Sequence, residues 1–552
     1  LTLQDETRRS IVPSPKSPVQ IPVDIPPESV LRFSIAAATL TDPEFDSPLE
    51  FRITLGDRHR EETVFRETLR RRDRNRWLDR ELSLADWGGA KAQLALEASD
   101  GAGEDVFPVW GNPVILPSRA ASHRRQMILI SIDCLRADHV GANGYQRDTT
   151  PHIDAFARDG VVFETAISTS ATTLPTHMSM LTGLTPSEHG ASNRHRLSPA
   201  VAYLPELLLS AGFQTDAVVS GAYLSQYFGF ERGFRSYLSL HQPRASETVD
   251  AALQVLRRTE GGDRFLFLHL IDAHWPYRPP TEFEERFGPI RTNVERVLRK
   301  VLEQIPPDDP GEVEQARDLY DAEIAYADRE LGRFLDELRA RGLYDGALII
   351  LTADHGEAFF EHGSWQHGWT LFDEVVRVPL IVKWPGRSHP DRVSLLASQV
   401  DIFATLLEYA GVPAPHPRST SLSALLSGRA AAPGRSYVVS EFLATPDLAK
   451  PPHKKISFRS ESQKYIVTFR TGTDDLTVAE IESEELYDLA KDPGELENLF
   501  PRSANETERL RRVLLTYLEK SRAQRGKSLG EAVDEDDLLR ERLRSLGYIT
   551  SP

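Results

Sequence analysis

Two hydrophobic rhythms divide the chain. Between about residues 30 and 117 apolar and polar positions alternate: Leu31, Phe33 and Ile35, then Leu49, Phe51, Ile53 and Leu55, later Leu94 and Leu96. Successive strand residues face opposite sides of a sheet, so this alternation predicts an antiparallel β-sandwich with one solvated face. Past residue 124 the apolar positions become continuous short runs: MILISI (127–132), DAVVS (216–220), FLFLHLI (265–271), ALIILTA (347–353) and PLIVKW (379–384). Runs of this kind belong to strands covered on both faces. Between them Tyr320, Ile324, Ala327, Leu331, Leu335 and Leu338 mark one face of a long helix, and Gly342 supplies its stop. Apolar strands alternating with amphipathic helices predict an α/β domain.

The ends of the chain follow other rules. Residues 11–30 carry Pro13, Pro15, Pro18, Pro22, Pro26 and Pro27, a density that blocks helix and predicts a linker or an edge-packed strand. After about residue 440, shorter strands (ISFRS, KYIVTF) give way to the charged helical stretch ERLRRVLLTYLEKSRAQR, predicting a small α+β unit. The expected organisation is a Pro-rich lead-in at 1–29, a β-sandwich at 30–117, an α/β domain at 118–440 and an α+β subdomain at 441–552.

Composition removes several function classes. With 552 residues, 40% hydrophobic and 27% charged, the chain is neither disordered nor fibrous. Lys and Arg number 65 against 82 Asp and Glu, a net −17 that disfavours nucleic acid as a partner. Cys134 is the single cysteine, so no intrachain disulfide can form. No apolar run reaches the ~18–20 residues of a membrane span. The chain starts at Leu1, which suggests a processed or trimmed form, compatible with a periplasmic, extracellular or cytoplasmic location. Arg66, Arg70, Arg71, Arg72, Arg74, Arg76 and Arg80 form a basic stretch. It reads either as a solvated face or as a contact for anionic polymer or a membrane surface.

Candidate chemistry lies where strands end, because open α/β sheets bind ligands beyond the carboxyl ends of their strands. MILISI runs into Asp133, FLFLHLI into Asp272 and His274, and ALIILTA into Asp354, His355 and Glu357; HGSWQHGW then adds His362 and His367. Carboxylates and imidazoles converging on one edge are the donor set of a divalent metal. In TTLPTHMSMLTG (172–183), Thr173 stands at a helix start, where it is either a cap or a nucleophile. Arg136 is placed either to clamp an oxyanion or to form an ordinary ion pair. Glu357 is a candidate to orient a ligand histidine. His269 reads as a core residue, His362 as a loop residue or a ligand, and Cys134 as a buried thiol.

These segments together resemble the sulfatase-like branch of the alkaline phosphatase superfamily. The matching stretches are ILISIDCLRADHVG, TTLPTHMSMLTG, LIDAHWPYRPP, LTADHGE, HGWTLFDEVVRVPLIV, ELYDLAKDPGELENL and the closing ERLRSLGYI (541–549). The resemblance covers about residues 124–549 and leaves out the N-terminal sandwich. It implies an α/β sandwich with a largely parallel central sheet. It also implies a divalent metal (zinc or manganese favoured, calcium allowed) as one or two ions. By the resemblance Asp133, Asp354 and His355 bind the metal with Thr173 as nucleophile. His274 contacts the substrate oxyanion or leaving group, and His367 binds substrate or a second ion. Asp272, His274 and His367 together are the expected second site.

Departures from the sulfatase pattern carry as much information. Sulfatases convert a Cys or Ser in Cys/Ser-x-Pro-x-Arg to formylglycine; here Thr173 holds the nucleophile position and His177 the Arg position. Cys134 stands where many sulfatases have a second metal-binding Asp, and Gly368 aligns with their lysine. Thr-x-Pro-x-His followed by Thr-Gly is similar to the nucleotide pyrophosphatase/phosphodiesterases. A threonine ester has no elimination route, so its intermediate must be cleared by attack at the central atom. The expected activity is therefore metal-dependent hydrolysis of a phosphate mono- or diester through phosphothreonine. Sulfate-ester hydrolysis without formylglycine, a phosphoethanolamine- or phosphoglycerol-type transferase, and a non-catalytic binding protein are the alternatives.

Overall fold

A computed structural model describes residues 1–533, apart from 4–5, 14–17, 40–47, 100–105, 118–124, 259–261, 388–389, 430–433, 444–452, 472–475, 503, 526–527 and 529. The closing ERLRSLGYI lies outside the described residues. The five apolar runs all form strands of one ten-stranded sheet. From one edge its order is Thr2–Leu3, Glu6–Thr7, Ser236–Leu240, Gln214–Ser220, Arg264–Leu270, Gln126–Ile132, Ala347–Ala353, Arg377–Lys383, Val161–Ile167 and Asp391–Ser398. The five strands from Ser236–Leu240 to Ala347–Ala353 are mutually parallel. Arg377–Lys383 runs against both of its neighbours, so the sheet is mixed but largely parallel, as expected.

Register at the centre of this sheet positions the chemistry. Ile132 lies opposite Leu270 on one side and Ala353 on the other. The chain therefore leaves the sheet at the same level at residues 133, 271 and 354. The long helix Pro310–Ala340 packs against the helices Pro151–Ala157 and Ala245–Arg258. It starts at Asp309, whose side chain accepts from Gly311 N at 2.8 Å, and it stops where Gly342 takes φ +65°. The apolar stripe expected from Tyr320 to Leu338 is buried. No described helix is long and apolar enough to cross a membrane.

Ahead of this domain, two four-stranded antiparallel sheets face each other. Their shared core holds Phe33, Ile35, Phe51, Ile53, Leu94, Leu96 and Trp110. Val19–Asp24 is an edge strand, the position in which Pro22 removes no interior ladder bond. Within the basic stretch, Arg66 pairs with Glu50, Arg76 with Asp73 and Arg80 with Glu67. At the other end, four antiparallel strands from Val438–Leu443 to Ile481–Asp488 pack on the helix Ala504–Arg525 through Leu510, Leu514 and Leu518.

The first residues are not a lead-in. Glu6–Thr7 pairs with Ser236–Leu240 and extends the central sheet, while Ser10–Ile11 pairs within the sandwich. Two-residue strands carry no readable period, so the pattern could not reveal them. Arg8, buried between the two units, bonds Glu6 on one side and Ser34 and Asp79 on the other. Burial pushes the Asp79 carboxyl up, but the Arg8 guanidinium outweighs it and brings the pKa down to about 2. A carboxyl depressed in the folded state stabilises above its unfolded value and loses that contribution as pH falls through the folded one. Thermal denaturation should therefore show the wild type losing stability between about pH 4 and pH 2, with Asp79→Asn losing markedly less across the same window.

Candidate metal and nucleophile site

The site is built where the central strands end. Asp133 follows Gln126–Ile132, and the next residue, Cys134, has φ +58°. A left-handed conformation is uncommon for a residue with a Cβ and persists where surroundings enforce it. Here Cys134 N donates to Asp354 Oδ1 at 3.1 Å, and Cys134 O accepts from Tyr320 Oη at 2.6 Å. On the neighbouring strand, His355 N donates to Asp354 Oδ1 at 2.9 Å. The Asp354 carbonyl accepts from Ser168 Oγ at 2.5 Å and Gln399 Nε2 at 3.2 Å. Gly356 is required by crowding, since a Cβ there would lie 2.1 Å from the Glu374 carbonyl oxygen.

Hydrogen bonds set the histidine tautomers. His355 Nδ1 faces the Gly356 carbonyl at 2.9 Å, which can only accept, so Nδ1 carries the proton. His355 Nε2 then presents its lone pair, 3.3 Å from Thr173 Oγ1, 3.3 Å from Asp354 Oδ2 and 3.8 Å from Asp133 Oδ1. Thr173 is the first residue of the helix Thr173–Thr182, after Thr172 in extended conformation. One turn on, His177 Nδ1 donates to the Thr173 carbonyl at 2.8 Å, leaving Nε2 to accept from Ser131 Oγ at 2.9 Å.

The residues present fit a divalent cation. Asp133 and Asp354 are both buried, and neither pairs with a Lys or Arg among the described residues. Among the described residues, Asp354 Oδ2 has no hydrogen-bond donor. Burial and the neighbouring Asp133 carboxylate push the Asp354 carboxyl up, the signature of negative charge lacking a counter-ion. Two carboxylates, an imidazole lone pair and a hydroxyl suit a hard or borderline cation held by Asp133, Asp354, His355 and Thr173.

The mouth of the site differs from expectation. His274 and His367 are neighbours, with ring centroids 5.1 Å apart. Asp272 does not join them: its Oδ1 accepts from Ala245 N at 2.8 Å, capping the helix Ala245–Arg258. Among the described residues it enters no cluster of metal-type ligands. Arg136 is no oxyanion clamp. Its buried guanidinium bonds Asp138 at 2.8 Å, Glu361 at 2.7 Å and the Glu357 carbonyl at 2.9 Å. His177 lies fully buried behind Thr173, bonded to the Thr173 carbonyl and to Ser131. His362 bonds Glu374 at 2.7 Å in a loop. Glu357 Oε1 lies 3.2 Å from His367 Nδ1, where it can orient that ring.

Three contributors carried weak sequence signals. His269 Nε2 lies 3.4 Å from Asp133 Oδ2, so this strand histidine borders the cage. Its inward position in an apolar strand was visible, but its nearness to Asp133 depends on register. Ser131 and Tyr320 were visible only as core positions; their hydroxyls hold His177 and Cys134.

Comparison with known proteins adds independent information. Residues 125–412 match the family model described as sulfatase, and residues 360–524 match that of the N-sulphoglucosamine sulphohydrolase C-terminal region. An arylsulfatase of Clostridium perfringens is 23% identical over 489 residues, covering 71% of this chain and 94% of its own. Arylsulfatase K of Gallus gallus is 31% identical over 216 residues, covering 37% of this chain and 38% of its own. Among solved structures, the phosphonate monoester hydrolase of Agrobacterium radiobacter has a TM-score of 0.59 at 22% identity, covering 73% and 96% of the two chains. A 2-O GAG sulfatase has a TM-score of 0.60 at 21% identity, covering 76% and 96%.

Two predictions follow from the charges. Chelation should lower the melting temperature, and added divalent cation should restore it, because the cation relieves repulsion between buried carboxylates. Arg136→Met should lower the unfolding free energy by roughly 3 kcal/mol in denaturant titration, the low end for a broken buried pair because Asp138 is half exposed.

Proposed function

Because this chain belongs to the sulfatase family and is a hydrolase of sulfate or phosphate esters, we propose that it cleaves a phosphate mono- or diester with Thr173 as nucleophile. The observation that carries this reading is the position of Thr173 Oγ1, at the start of a helix and 3.3 Å from His355 Nε2 beside Asp133 and Asp354. A divalent cation at those residues would supply the charge that acidifies the threonine hydroxyl and neutralises the substrate's oxygens. The start of the Thr173–Thr182 helix, where the first N–H groups have no intrahelical carbonyl to meet, favours the same anion. His177, bonded to the Thr173 carbonyl, fixes the first helical turn and so the direction of attack.

In the first step a bond forms from Thr173 Oγ to phosphorus as the bond to the leaving oxygen breaks. That oxygen finally receives the threonine proton. In the second step a water oxygen bonds to phosphorus, the Thr173 ester breaks, and a water proton returns to Oγ. Formylglycine hydrate expels sulfate by elimination, a route closed to threonine, and this difference favours phosphorus over sulfur. The sulfate alternative keeps one support, because the named relatives include arylsulfatases and a GAG sulfatase.

On aryl phosphate mono- and diesters, Thr173→Ala should lower kcat by at least about 10³-fold, as loss of a nucleophile does, while Thr173→Ser retains measurable turnover. A ³²P label from substrate should appear on Thr173 after acid quench. Faster turnover of an aryl sulfate by the same metal-loaded sample, with a ³⁵S label on the protein, would replace phosphate by sulfate in this reading.

A further inference from the structure

A cleft of about 330 Å³ opens where the N-terminal sandwich meets the α/β domain, a size at the lower end of small-ligand pockets. Its charged lining is Arg32, Asp79, Arg80 and Glu81 from the sandwich, with Arg235 and Arg258 from the α/β domain. The acids are already met, Asp79 by Arg8 and Glu81 by Arg32 Nε at 2.6 Å, and Arg80 is engaged by Glu67. The other arginines are used only in part. Arg32 bonds through Nε alone, Arg235 through Nε and Nη2 to Asp216 at 3.2 and 2.9 Å, and Arg258 through Nη1 to Glu6 at 3.0 Å. Among the described residues, Arg32 Nη1 and Nη2, Arg235 Nη1, and Arg258 Nε and Nη2 meet no hydrogen-bond acceptor. The Arg32 and Arg235 side chains are only 16% and 13% exposed, so these are not ordinary surface donors. Arg32 reaches across the junction: a Cβ at Gly262 would lie 3.6 Å from its Nη2. Beside the cleft, burial first, and then Arg235, Arg341 and Arg32, hold the Arg264 guanidinium below the usual arginine range against the pull of Asp216. Cations therefore crowd at this one junction of a chain whose net charge is −17.

We propose that this cleft binds a phosphate or sulfate group, free or as an ester on a longer molecule, between Arg32 of the sandwich and Arg235 and Arg258 of the α/β domain. Guanidinium forks match oxyanion edges, and donors arriving from three separate elements suit the several edges of a tetrahedral ion better than the single edge of a carboxylate. The cleft lies at the opposite end of the sheet from the cage. Gln214 and Arg264 start their strands at one level, whereas Asp133 and Asp354 stand past the far ends. The seven-residue strand Arg264–Leu270, at ~3.3 Å per residue, separates the two ends by about 20 Å. The anion held here is therefore not the group under attack at Thr173. Because its donors come from both domains, it ties them together beside the Arg8 clamp, which joins Glu6 to Asp79. The site does not depend on the Thr173 reading.

Equilibrium dialysis of the full chain against ³²P-phosphate or ³⁵S-sulfate tests this, after metal has been stripped and the chelator dialysed away, so that no cation holds anion at Thr173. One equivalent should bind, and the melting temperature should rise with anion concentration. Arg32→Gln and Arg258→Gln should each weaken binding at least about tenfold, the scale of one charge-assisted hydrogen bond, whereas Thr173→Ala leaves it unchanged. Arg258→Lys keeps the charge without the fork; it should melt like the wild type in the absence of anion and bind between wild type and Arg258→Gln, which separates lost recognition from lost folding. A sugar phosphate or sugar sulfate that binds more tightly than the inorganic ions identifies an ester as the occupant, and equal or weaker binding identifies the free ion. No bound anion at millimolar concentration overturns the proposal. Binding that survives both glutamine substitutions, or acetate binding as tightly as phosphate, also overturns it. None of these outcomes bears on whether Thr173 carries a label from substrate, so the two readings fail separately.

Discussion

Two buried carboxylates at the ends of adjacent parallel strands govern this site. In-register pairing brings Asp133 and Asp354 out of the sheet together, and the described residues provide no Lys or Arg to offset them. Uncompensated charge in a dry interior is costly, so the sheet edge is assembled around a place for a cation. Other features follow from that place. His355 is locked in the tautomer that turns its lone pair inward, His177 ties down the helix that begins at Thr173, and Cys134 is bent into a left-handed turn.

The cage bears on the proposed chemistry in a physical sense. Arg136, which could have met an anion, is tied up by Asp138 and Glu361. In the proposed reading, anion binding would fall to the cation, the helix start and the imidazoles at the mouth. Such a site suits a compact tetrahedral ester held by charge, as the proposed reading requires. The proposed choice of phosphorus over sulfur comes from how a threonine ester can be broken, not from the overall charge of the pocket.

Much of the architecture was legible because it depends on local periodicity. The apolar runs at 127–132, 216–220, 265–271, 347–353 and 379–384 are all strands of the central sheet. Asp133, Asp354, His355 and Thr173 were legible because each begins the segment after an apolar run or opens a helix. What escaped depends on distant partners. The edge strands at 2–3 and 6–7 are too short to show a rhythm. Asp272 reads like a ligand until the start of the Ala245–Arg258 helix is seen to sit on it. His269 reads as core until strand register brings it to Asp133, and the aim of the Cys134 thiol depends on a backbone dihedral that no pattern encodes.

The central claim is that one cation touches the Thr173 hydroxyl together with Asp133, Asp354 and His355. Anomalous diffraction from crystals of the metal-loaded protein, collected at the absorption edge of the bound ion, tests it most directly. The account predicts a peak within about 2.0–2.6 Å of Thr173 Oγ1, of a carboxylate oxygen from each aspartate and of His355 Nε2. A peak coordinated elsewhere, with Thr173 Oγ1 more than about 5 Å from the ion, far outside bonding distance, would contradict it.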